Sequence, residues 1–94
     1  MNRNSKNKKD INEIAEILTK SSVEDIVELL SEILTETEFD TISKRWRIIK
    51  MLNNGFSQRE ISKELNVSLC KVTRGAKILK KQNSITKKLI TKEL

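Results

Sequence analysis

Apolar residues recur along this chain at intervals of three and four, the spacing that lines one face of an α-helix, and alternation of period two is absent. Six helices follow from the pattern. Helix A spans about 10–20 with Ile11, Ile14, Ile17 and Leu18 on one face. Helix B spans about 22–34, opened by Ser22 with Asp25 in the manner of a capping box, and carries Val23, Ile26, Val27, Leu30 and Ile33 among its apolar positions. That stripe is wider than one partner helix in so short a chain can cover, which predicts burial against a second subunit. Helix C spans about 36–53, opened by a Thr35–Glu38 capping box and closed by Asn53-Asn54-Gly55, where Gly is the residue suited to a left-handed cap. Its apolar positions are Phe39, Ile42, Trp46, Ile49 and Leu52. Helices D (about 57–64), E (about 68–80) and F (about 83–92) complete the chain.

Helices D and E are close together and their junction is specific. Ser57 and Glu60 form a capping box, Ile61 and Leu65 lie a turn apart, and Asn66 tolerates a left-handed turn. Val67 plugs the turn, Ser68 caps the next helix, and Val72 points back at Ile61 and Leu65. Residues 57–76 therefore read as a helix-turn-helix. The second helix presents Ser68, Leu69, Lys71, Thr73 and Arg74 on its outer faces, and a helix of this size fits the DNA major groove.

Charge strengthens that reading. Residues 1–9 carry net +4 and read as a flexible basic arm; residues 10–40 carry net −9; residues 44–94 carry net +11. The basic block contains the helix-turn-helix, as phosphate binding requires. Lys63 and Lys71 are candidate phosphate or groove contacts. Ninety-four residues with 2 Gly, no Pro and 1 Cys fit one small all-α domain over 10–94 that completes its core by dimerising. A disulfide framework within the chain is excluded, and the polar first ten residues and the absence of a long apolar run read as cytoplasmic.

Enzyme chemistry finds little support. With no His, the commonest general base and metal ligand is missing. Cys70 has no His to activate it, and neither a phosphate-cradling Gly loop nor metal-ligand spacing is present. Trp46, the single Trp, reads as a core or dimer-interface aromatic.

Leu34-Thr35, Arg45, Arg47-Ile48, Leu52, Gly55, SQRE at 57–60, Leu65, Thr73-Arg74-Gly75 and Leu79-Lys80 together resemble the Trp repressor family over about 34–80. The resemblance implies an intertwined six-helix homodimer, each helix-turn-helix on one half-site of a double-stranded operator, with L-tryptophan as corepressor. Arg45 and Arg74 match the family arginines that sandwich the indole ring, as guanidinium planes can. Thr35 matches a threonine on the ligand carboxylate, and Gly75 a glycine allowing close approach. Arg59 matches an arginine able to reach a guanine edge; Leu69, Cys70 and Thr73 match the segment that approaches bases, and Ser62 stands where the family often has a lysine.

Two positions depart from the family pattern. Ile78 stands where the family has a serine that helps hold the ligand's amino group, and an isoleucine cannot accept a hydrogen bond. The segment from Arg47 to Ser57 is one residue shorter, closer to a Trp-repressor-like group not clearly tied to tryptophan. A regulator that does not respond to tryptophan, a non-specific nucleic-acid-binding helical protein and a protein-interaction adaptor all remain open readings.

Overall fold

The computed structural model describes residues 5–93. Among them lie six α-helices and no strand: α1 (Ser5–Thr19), α2 (Val23–Ile33), α3 (Glu36–Asn53), α4 (Gln58–Leu65), α5 (Leu69–Lys80) and α6 (Ile85–Glu93). The all-α architecture read from the periodicity is the one observed. None of the described helices is long and apolar enough to cross a membrane.

Contacts divide the chain into two compact units, the first ending at Phe39 and the second beginning at Asp40. The first holds α1, α2 and the opening turn of α3. The basic arm expected over 1–9 is corrected in part: α1 already begins at Ser5, so Lys6, Lys8 and Lys9 are helical, while residues 1–4 lie outside the described residues. Nothing in Ser5–Lys9 breaks a helix, and Lys6 and Lys9 precede Asp10 and Glu13 by one helical turn. Ser22 caps α2 by accepting the Asp25 N–H at 3.1 Å. Thr35 and Glu38 complete a reciprocal box at the start of α3: Thr35 N–H donates to Glu38 Oε1 at 2.8 Å, and Glu38 N–H to Thr35 Oγ1 at 3.1 Å. No residue of α1 or α2 is buried; Ile11, Ile17, Val23, Val27 and Ile33 lie exposed.

The second unit has a core. Ile48 of α3, Ile61 of α4 and Val72 of α5 pack together and are at most 2% exposed, with Met51, Leu52, Leu65 and Val67 against them. The chain leaves α3 through Gly55, whose φ of +92° is the left-handed conformation that glycine adopts without strain. Gly75 plays a different part. A Cβ there would stand 3.0 Å from Ile48 Cγ2 and 3.2 Å from Leu52 Cδ1, so the bare α-carbon is what lets α5 approach α3 this closely. Helix α6 begins later than the periodicity suggests. Asn83 takes a left-handed φ of 59°, and Ser84 then caps the helix by accepting the Lys87 N–H at 3.1 Å. Burial of Ile90 anchors α6, and Lys87 Nζ donates to Asn53 Oδ1 at 3.2 Å, tying it to the end of α3.

Candidate nucleic-acid interface and adjoining cleft

Each junction of the helix-turn-helix is set by a short polar side chain. Ser57 N–H donates to Glu60 Oε1 at 3.0 Å and Glu60 N–H returns the bond to Ser57 Oγ at 3.1 Å. The bonds to Ser57, first from its backbone and then from its side chain, hold the Glu60 carboxyl below its ordinary value; Thr35 does the same for Glu38. Asn66 ends α4 at φ 54° and ψ 50°, the left-handed geometry expected of it. Ser68 Oγ then accepts the Lys71 N–H at 3.3 Å and starts α5.

This frame leaves Arg59, Lys63, Ser68, Leu69, Cys70 and Lys71 exposed. Cys70 is a free thiol on that surface. Two other candidates have structural duties. The Ser62 hydroxyl donates to the Val67 carbonyl at 2.6 Å, so its one proton is engaged inside the turn. Thr73 Oγ1 donates to Gln58 Oε1 at 2.8 Å and lies 3.0 Å from the Leu69 carbonyl, which bridges α5 to the start of α4. Sequence reasoning misses Gln58 as a partner, because nothing local marks a bond across 15 residues.

Beside this surface, α3 and α5 enclose a cleft of about 260 Å³. Arg45 and Arg74 both line it, together with Gly75 and Ile78, so the structure brings together four positions singled out from different parts of the sequence. Asp40, Thr41, Lys44 and Lys71 line it too, which the sequence reading does not anticipate. A usable signal exists. Positions 41, 44, 45 and 48 share one face of α3, and positions 71, 74, 75 and 78 share one face of α5. Lys44 Nζ lies 3.3 Å from Asp40 Oδ2 across one turn. Arg45, Lys71 and Arg74 have no carboxylate partner among the described residues. Such a cleft offers guanidinium planes for an aromatic face and cations for a carboxylate. Thr35, the fourth ligand candidate, belongs to the first unit.

Trp46 is 42% exposed and does not line the cleft. Phe39, Ile42 and Trp46 are exposed along α3, whereas Ile48 and Ile49 of the same helix are buried. Among the described residues, no group of three or more His, Cys, Asp or Glu could hold a metal ion.

The family described as Trp repressor protein matches residues 9–94. A protein of Xylella fastidiosa (strain M23) named Trp operon repressor homolog is 40% identical over 72 residues, which cover 74% of this chain and 78% of that protein. A protein of the same name from Histophilus somni (strain 2336) is 39% identical over 54 residues, covering 56% of this chain and 51% of that one.

Proposed function

This chain belongs to the Trp repressor family, a family of regulators rather than enzymes, and we propose that it is a sequence-specific DNA-binding repressor whose reading element is α5. The relatives' name supports a trp operon as the target. The observation that carries the reading is the exposed face formed by Arg59, Lys63, Leu69, Cys70 and Lys71 on a helix-turn-helix whose caps, turn and core are all satisfied. Arg59 reads a guanine edge and Leu69 gives apolar contact to a base. Lys63 and Lys71 hold phosphates, and Ser68 and Thr73 fix the helix that presents them.

The working unit is a homodimer. Ile11, Ile17, Val23, Val27 and Ile33 of the first unit and Ile42 and Trp46 of α3 are large apolar side chains left open to water. A second copy covers them at the gain expected of apolar burial. Two reading heads related by a two-fold axis then call for a near-palindromic operator with half-sites about 34–36 Å apart.

The cleft between α3 and α5 is the effector site. Arg45 and Arg74 stack on an aromatic ring and hold a carboxylate, and L-tryptophan is the aromatic carboxylate to which the family's name points. Because the cleft is walled by the reading helix, its occupant biases the tilt of that helix. The test is selection from a pool of random DNA duplexes with and without L-tryptophan, followed by sequencing. Enrichment of one near-palindrome, stronger with tryptophan, is the expected result. Equal retention of all duplexes overturns the repressor reading.

A further inference from the structure

Between Asn66 and Lys92 the chain carries eight Lys or Arg and no Asp or Glu. Only some of these cations belong to the helix-turn-helix or the cleft. Lys77, Lys80 and Lys81 lie at the far end of α5, Lys88 and Lys92 lie on α6, and all five are exposed. α5 and α6 pack against each other, so the two groups adjoin. Ile90 is buried, and Lys88 and Lys92, two residues to either side of it, fall on the opposite face of α6. Lys87 is set apart from them by its bond to Asn53. None of the five has a carboxylate partner among the described residues.

Their spacing is unfavourable for the fold itself. Lys77 and Lys80 are one turn apart, as are Lys88 and Lys92, and like charges one turn apart destabilise a helix. A polyanion relieves that repulsion. All five residues are lysines, point charges that hold phosphate without the fork with which arginine reads a base. No aromatic residue follows Phe56. A stacking platform for unpaired bases is therefore missing, and a duplex backbone suits the surface better than a single strand. From Leu69 to Lys80 the axis of α5 runs about 16 Å, against a major groove about 8.5 Å deep. The far end of α5 thus stands clear of the bases that its first turn meets.

We infer that Lys77, Lys80, Lys81, Lys88 and Lys92 form a second, sequence-independent DNA-binding surface, which holds the phosphate backbone outside the base pairs read by the helix-turn-helix. The inference rests on the DNA-binding reading and adds to it a footprint longer than the operator, with affinity set in part by flanking DNA.

The experiment compares wild type with the triple variant Lys81→Gln, Lys88→Gln, Lys92→Gln on two duplexes. One is the selected near-palindrome trimmed to its ends, and the other extends it by about 10 base pairs, one helical turn, on each side. Affinity is read by fluorescence anisotropy over a salt series with protein limiting, and the footprint by hydroxyl-radical cleavage. Wild type should bind the extended duplex about tenfold more tightly and protect backbone beyond the palindrome. The variant should bind both duplexes alike, lose the flanking protection, keep the central protection, and show a salt slope lower by up to about 3 per reading head on the extended duplex. Its melting temperature at low salt should equal or exceed that of wild type, because like-charge repulsion is removed. Equal wild-type affinity for the two duplexes, or an advantage of the longer one that survives in the variant, overturns the inference. A lower melting temperature in the variant would assign these lysines to the fold instead and overturn it too. If wild type prefers extended duplexes but does not distinguish the palindrome from random sequence, sequence reading falls and this surface stands.

Discussion

Thr73 Oγ1 donates a hydrogen bond to Gln58 Oε1 at 2.8 Å, joining α5 to the first residue of the helix before it. Ile61 of α4 and Val72 of α5 pack in the same core, so the two helices are held by an apolar core and a polar clasp. Thr73→Val keeps the shape and removes the donor. It should cost about 0.5–1.5 kcal/mol in urea unfolding and should lower affinity for the selected duplex more than for random DNA. A loss equal for both duplexes would mean that the clasp does not set the reading geometry.

Gly75→Ala sets two effects against each other. Alanine favours the helix by about 0.5–1 kcal/mol. Its Cβ would stand 3.0 Å from Ile48 Cγ2, and Ile48 is only 2% exposed and has little room to give. Overpacking costs about 1–3 kcal/mol, so the variant should be less stable than wild type by about 1 kcal/mol in denaturant titration. It should also spread α3 from α5 and weaken effector binding.

Asn66 sits in the left-handed region, where a β-branched residue is strained. Asn66→Gly should leave stability close to wild type, and Asn66→Val should cost about 1–2 kcal/mol, read by thermal unfolding. Ser62→Ala should add to the loss at this turn, because the Val67 carbonyl then loses the donor 2.6 Å away.

Glu60 and Glu38 titrate below their ordinary value of 4.5 in the folded chain, because each carboxylate accepts the backbone N–H of its capping residue and is bonded to that residue's side chain. The folded state then binds fewer protons than the unfolded one over this range. The stabilisation is complete above the unfolded value and is lost as pH falls from about 4.5 through the folded values. Melting temperature should fall over that window, and Glu60→Gln, which keeps the capping acceptor, should flatten the fall. An identical pH profile in Glu60→Gln would contradict this account.

Local signals make much of the second unit legible in the sequence. The bounds of α3 are readable because Thr35 and Glu38 cap one end and Gly55 closes the other. Ser57, Asn66 and Ser68 mark the helix-turn-helix in the same way, each through a bond within a few residues. What stays hidden depends on distant partners. The Gln58–Thr73 bond, the approach of Ile48 to Gly75, and the presence of Lys71 in the cleft follow from packing between helices. The start of α1 is hidden for another reason: a Lys- and Asn-rich stretch carries no apolar periodicity, yet nothing in it stops a helix.

The most direct test of the account is the affinity ratio between the selected duplex and random DNA, measured by fluorescence anisotropy at several salt concentrations for wild type, Arg59→Ala and Lys63→Ala. Arg59→Ala should lose about 1–3 kcal/mol on the selected duplex alone, collapsing the ratio. Lys63→Ala should weaken both duplexes alike and reduce the salt slope by about 1. A wild-type ratio near unity, or a ratio untouched by Arg59→Ala, would contradict sequence reading by this helix-turn-helix.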